Sequence, residues 1–208
     1  MVTNVFVASG KQVKENINKP EISSNVFIRL DDGQHVRIVF FPNEEDLFQQ
    51  YYSHSDFKKK IFSHPCLIND CPSCDAGIKR TTKILVPVYD LDADEIRIID
   101  ASARQLSNIC QILDEYADEP GLAFKYSRTG KQLDTVYSLT PIFPSKLSKE
   151  DKAKIAKVPE LRKQVTEEFL LQALRPKTKE QILEMLNKGQ TQTEDENIEP
   201  MGDEDLPF

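Results

Sequence analysis

The stretch Asn25–Pro42, NVFIRLDDGQHVRIVFFP, decides the reading of the fold. Two apolar runs with alternating side chains flank Asp31-Asp32-Gly33, a loop that puts Gly33 at the left-handed position of a three-residue hairpin turn. That register pairs Leu30 with Gln34, Ile28 with Val36 and Val26 with Ile38 on one face. The other face collects Phe27, Arg29, His35, Arg37, Val39 and Phe41. The expectation is a hairpin with an aliphatic inner face and an aromatic, basic outer one.

Further strands follow at 82–90 (TKILVPVYD) and 95–100 (EIRIID), and Pro87 points to an edge strand or a bulge in the first. Ser102 and Gln105 form a capping box for a helix whose stripe is Leu106, Ile109, Cys110, Leu113 and Tyr116. Residues 121–143 read as a last hairpin around RTGK. Short strands around one helix predict a mainly β protein, built as a small closed or partly open barrel over 21–144. Beyond Pro144 the pattern becomes helical. Ser148 caps KEDKAKIAK, Pro159 breaks it, 160–174 repeats apolar residues from Leu161 to Leu174, and Thr178 with Gln181 opens a helix that Gly189 ends. Residues 1–20 read as a mobile arm and 190–208 as a disordered acidic tail.

The chain has 208 residues and a formal net charge of −7. A uniformly basic nucleic-acid coat is excluded by that total. The distribution is different. Residues 190–208 hold seven acids and no base, and removing seven from 34 leaves 27 acids, equal to the 27 bases of the body. No apolar run reaches the length of a membrane span, and the start, MVTNVFVASGKQ, lacks the basic-then-apolar pattern of a secretory signal. Three cysteines crowded together suggest metal binding in a reducing compartment, so a cytoplasmic location is expected.

The strongest local motif is HPCLINDCPSCDAG, residues 64–77. Cys71 and Cys74 have the C-x-x-C spacing that lets two thiolates grip one ion, and Cys66 is near enough to supply a third sulfur. One structural Zn²⁺ then needs a fourth ligand, for which His54 and His64 compete. A redox C-x-x-C fits less well, because no strand leads into a helix here. Cys110 belongs to the helix stripe and reads as core.

Aromatic and basic residues interleave elsewhere: Phe27, Arg29, Arg37 and Phe41, then Tyr51, Tyr52, Lys58, Lys59 and Lys60, then Lys125, Tyr126, Arg128, Lys131 and Tyr137. Single-stranded nucleic acid is bound by such sets, with bases on flat rings and cations along the backbone. The ending Asp203, Glu204, Asp205, Leu206, Pro207 and Phe208 offers acids, a ring and a carboxylate to a partner's basic pocket. No Gly-rich phosphate loop, G-x-S-x-G elbow or H-E-x-x-H is present, so no enzyme is expected. Asp90, Asp92, Asp94 and Glu95 form an acidic cluster that reads as a solvated turn, with a metal-dependent nuclease as the rival.

The order HVRIVFFPNEED, His54 with SDFKKK, Cys66, CPSC, EIRIIDASARQLSNI and LAFKYS resembles the single-stranded-DNA-binding (helix-destabilising) protein family of T-even bacteriophages, over residues 25–143. The resemblance implies an OB-fold braced by a zinc subdomain (about 51–80), with His54, Cys66, Cys71 and Cys74 as ligands. It implies a non-catalytic protein that coats single-stranded DNA in phage replication, recombination and repair, in the bacterial host cytoplasm. Lys11, Lys14 and Lys19 echo the family's basic N-terminal arm, which mediates cooperative self-association. The terminal DEDLPF is similar to the tip of bacterial single-stranded-DNA-binding proteins, which recruits replication and repair enzymes. The main rival is a zinc-containing protein–protein adaptor without nucleic-acid binding.

Overall fold

The structure is a computed structural model that describes residues 26–119, 121–131 and 134–194. The arm 1–20 and residues 195–208 of the acidic tail lie outside the described residues. Among the described residues seven antiparallel strands form one sheet: β1 His35–Phe40, β2 Gln49–Asp56, β3 Ile61–Pro65, β4 Arg80–Asp90, β5 Glu95–Ala101, β6 Ala123–Thr129 and β7 Val136–Ile142. Their order is β3-β2-β4-β1-β6-β7, with β5 on the other edge of β4. The sheet is open. Among the described residues no ladder joins β7 to β5 or β3.

The 25–42 hairpin does not form, although its turn does. Gln34 N–H bonds the Asp31 carbonyl at 3.0 Å and Gly33 sits at φ 79°. The first arm then leaves β1 and lies along β5: Ile98 N–H bonds the Val26 carbonyl at 2.8 Å and Ile28 N–H bonds the Ile98 carbonyl at 2.9 Å. The reason is occupancy. A strand has two edges, and β1 gives one to β4 and the other to β6. The alternation survives only in part: Ile28, Leu30 and Ile38 share one core and Val39 and Phe41 the other, but Val26, expected on the face of Ile38, packs with Val39 and Phe41 because the first arm has left β1 for β5.

Period-2 alternation divides the central strands between those two cores, while Ile61 on β3 belongs to a third, smaller cluster. On β4, Ile84, Val86 and Val88 enter the core beneath the helix Ala103–Glu115, and Leu85 and Tyr89 enter the other. Such burial of both faces explains why β4 reads as one apolar run. Pro87 lies in a central strand, opposite Ile98. It is tolerated because the other ladder is interrupted there: β1 pairing starts at Val88 and β2 pairing at Leu85.

Helix α1 is the short turn Pro72–Asp75, and α2 is Ala103–Glu115, opened by the expected Ser102/Gln105 capping box. The β6–β7 hairpin also forms, with Ala123 opposite Ile142. Glycine is required in it: a Cβ on Gly130 would meet the Asp134 carbonyl oxygen at 2.2 Å. The C-terminal helices are α3 Lys149–Ile155, α4 Val158–Leu161, α5 Glu167–Leu174 and α6 Lys179–Glu194. Residues 160–174 are therefore two helices, because Thr166 restarts the chain as a cap whose hydroxyl accepts from Phe169 N–H at 3.1 Å. Gly189 does not end α6, which continues to Glu194. Val158, Val165, Phe169 and Leu170 seal the core that holds Val39 and Phe41. No helix among the described residues is long and apolar enough to cross a membrane.

Candidate metal centre and nucleic-acid interface

The β2–β3 hairpin places His54 directly opposite His64, with ring centroids 5.8 Å apart. The two rings have different partners. His54, fully buried, donates from Nδ1 to the Ile78 carbonyl at 2.9 Å, which leaves the Nε2 lone pair free. That nitrogen lies 3.4 Å from Cys74 Sγ and 3.8 Å from Cys71 Sγ, and Cys66 Sγ lies 3.6 Å from Cys74 Sγ. The four ligand atoms of His54, Cys66, Cys71 and Cys74 all fall within 4.8 Å of one another and could hold one metal ion. His64 has no nitrogen to give. Its Nδ1 donates to the Phe62 carbonyl at 2.9 Å and its Nε2 accepts from Ser73 Oγ at 2.8 Å. Burial, above all, lowers its pKa and keeps that ring neutral.

The loop that delivers the sulfurs is tightly wound. Cys71 precedes Pro72 at the start of α1, and Cys74 N–H closes onto the Cys71 carbonyl at 2.9 Å. Ile68 and Asp70 hold φ of 64° and 52°, conformations that cost about 1–3 kcal/mol each and persist where the surroundings impose them. Ile68 N–H points at Cys66 Sγ, 3.3 Å away. Arg80 donates from Nε and Nη2 to Cys74 Sγ at 3.1 and 2.9 Å. Three thiolates around a divalent ion would carry one net negative charge, which Arg80 is placed to balance. Burial opposes ionisation of Cys71, but hydrogen bonds from the Leu67, Cys74 and Ser73 backbone outweigh it and lower that thiol's pKa. Cys110 lies on α2, outside the ligand group, and is half-buried rather than part of a core cluster.

The aromatic and basic residues do not share one surface. Phe41 is 1% exposed and Tyr126 is buried and stacked on Tyr137 at 5.5 Å, so neither presents a free face. For Phe41 the cause is the core in which the C-terminal helices cover that side of β1, and for Tyr126 it is the core beneath α2. Arg37 is spent on Asp92 (2.8 Å) and Asp151 (3.0 Å). Tyr51 donates its hydroxyl to Asp100 at 3.0 Å. Phe27 is half-buried under the Arg29 guanidinium, 5.2 Å from its centroid, and Arg128 donates to the Leu30 carbonyl. Lys125 and Lys131 are exposed on the β6–β7 side.

Exposed rings and cations do coincide on the metal-bearing module. Phe57 is 72% exposed and Phe62 69%, on either side of the exposed Lys58, Lys59 and Lys60. Tyr52 is exposed beneath Arg80, whose guanidinium carbon is 5.6 Å from the ring centroid. A groove of about 630 Å³ adjoins them, lined by Lys60, Phe62, Lys177, Gln181, Met185 and the ion pair Glu184–Lys188 (2.6 Å). Phe57, Phe62 and Lys177 are missing from the sequence reading. The first two were legible in DFKKKIF, where a ring stands at each end of the lysines.

The Asp90–Glu95 carboxylates are engaged within the protein. Asp90 caps the turn by accepting from the Asp92 and Ala93 N–H groups and pairs with Arg97 at 3.0 Å, and Asp94 accepts from the Tyr89 hydroxyl. Comparison with protein-family models, with curated proteins and with solved structures finds no match to this chain.

Proposed function

We propose that the chain is a non-catalytic single-stranded-DNA-binding protein whose zinc-braced module presents stacking rings among lysines. The carrying observation is the pair Phe57 and Phe62, each more than two-thirds exposed, flanking Lys58–Lys60. Single exposed apolar side chains are ordinary, but large rings exposed together on one module mark an interaction surface. Rings interleaved with cations suit nucleobases and phosphates together.

Zinc is the metal that best suits the four ligands. A tetrahedral ion with bonds of about 2.3 Å to sulfur and about 2.05 Å to nitrogen has ligand–ligand edges of roughly 3.8 and 3.6 Å. The His54–Cys74, Cys66–Cys74 and His54–Cys71 separations of 3.4, 3.6 and 3.8 Å agree with those edges to within about 0.2 Å. Its role is structural, since four protein ligands leave no open position for substrate. The path of Val26–Leu30 along β5 supports an OB-like arrangement in which that segment curls the open sheet toward a barrel. Coating of DNA in phage replication, recombination and repair, cooperative self-association through the arm, and recruitment of partner enzymes by Asp203–Phe208 complete the proposal.

The test is a salt series of single-strand binding by the full chain and by Phe57→Ala and Phe62→Ala. Stacking is worth about 1–3 kcal/mol per base, so each substitution should weaken binding by roughly five- to 150-fold. Unchanged affinity in both variants, or equal binding of duplex, overturns the proposal. An adaptor that binds protein alone predicts no effect of either substitution on any nucleic acid.

A further inference from the structure

We propose that a groove between the β1–β2 connection, the end of α2 and helix α4 docks a cationic, apolar segment of a partner protein. The groove encloses about 820 Å³. Phe40, Tyr116, Leu122, Phe124 and Val158 give it an apolar floor. Its rim is made of Glu44, Glu45, Asp46, Asp114 and Glu119, and no lysine, arginine or histidine among the described residues lines it.

The rim charge is electrostatically unfavourable where it stands. Asp114 is in the last turn of α2 and Glu119 lies beyond it, at the end of a helix where negative charge is disfavoured and where no basic residue compensates. Among the described residues Asp46 alone of the five has a cationic partner, Arg162 at 3.3 Å, whose Nε also donates to the Pro42 carbonyl at 2.8 Å. The remaining field reaches Cys110: burial raises its thiol pKa first, and Glu45, Asp114 and Glu44 raise it further. Groups that work against their own fold are tolerated chiefly where a ligand uses them.

The chemistry of the occupant follows from the lining. Phosphate is repelled, so this groove does not extend the DNA patch, with which it shares no lining residue. A segment with apolar side chains for the floor and lysines or arginines for the rim satisfies both parts. The proposal stands independently of the DNA-binding reading.

The experiment titrates the full ¹⁵N-labelled chain with a synthetic amphipathic leucine–lysine peptide, using a leucine–glutamate peptide as control. Amide shifts should cluster at 40–46, 113–124 and 155–159. Glu45→Gln/Asp114→Asn should weaken binding about tenfold, while the charge-matched Asp31→Asn/Glu184→Gln should leave it nearly unchanged. Equal weakening by both double variants, or equal binding of a lysine peptide without leucine, reduces the effect to bulk charge and overturns the proposal. Shifts located elsewhere also overturn it. Tighter binding of a peptide of residues 1–20 at the same amides assigns the groove to the chain's own arm and overturns the partner.

Discussion

His54 and His64 face each other across one ladder, yet only His54 has a nitrogen left for a metal. Metal analysis of the purified full chain should give one equivalent, and His54→Ala or Cys71→Ser should reduce it below half. His64→Gln should keep the metal while losing about 1–3 kcal/mol of stability, because it removes buried hydrogen bonds to Ser73 and Phe62. Retention of metal by His54→Ala with loss in His64→Gln would reverse the assignment. Spacing alone could not choose between them, since the choice depends on what each ring's other nitrogen bonds. Phe41 and Phe62 make the complementary contrast. Phe41→Ala should cost about 3–5 kcal/mol in denaturant unfolding, as a buried ring lost from a packed core. Phe62→Ala, on the surface, should stay within about 0.5 kcal/mol while DNA affinity falls.

At the scale of elements, patterns confined to one segment were legible and choices of partner were not. The α2 capping box, the β6–β7 hairpin and the Thr178/Gln181 cap follow from residues three apart or from one turn, and they form. The Asn25–Pro42 hairpin fails because β4 and β6 claim β1 from far along the chain. The same long-range packing attaches the C-terminal helices. Asp151 accepts from Ser148 at the start of α3 and from Arg37 on β1. Ser148 first, then Arg37, hold its carboxyl below the ordinary value. The stabilisation is therefore full above the unfolded value of about 3.9 and is lost as pH falls through the lower folded value. Asp151→Asn should be less stable than the parent by about 1 kcal/mol at neutral pH, with the gap closing below about pH 4 in acid unfolding followed by circular dichroism. A gap independent of pH would contradict this. Helix α6 is attached differently: Ile182 and Leu186 pack on Ile61, Ile78 and Leu67, which flank the metal ligands. A chelator should therefore strip hydrogen-exchange protection from α6 while β4 amides stay protected, and equal protection in both states would sever that link.

For the whole molecule, the total charge of −7 conceals a body and a tail of different character. The body carries one exposed run of lysines, Lys58–Lys60, on the metal-bearing module and a ring of acids around the groove at the end of α2, so the proposed functions assign phosphate attraction to one place and repulsion to another. That separation was only partly legible. The balance of 27 bases and 27 acids outside 190–208 is plain from the sequence, but the placement of Glu44–Asp46 beside Asp114 needs the folded sheet. Residues 195–208 add six acids and no base, beyond the end of α6 at Glu194. Truncation after Glu194 brings the formal charge from −7 to −1 without cutting the helix. Exposed charges interact over a Debye length of about 30 Å at 0.01 M salt and about 3 Å at 1 M. The truncated chain should therefore bind a single strand several-fold more tightly than the full chain at low salt, with the two curves converging as salt rises. Fluorescence anisotropy of a labelled oligonucleotide across the salt series measures the difference directly. Parallel curves, or tighter binding by the full chain, would mean that the tail does not compete with phosphate for the lysines of the module.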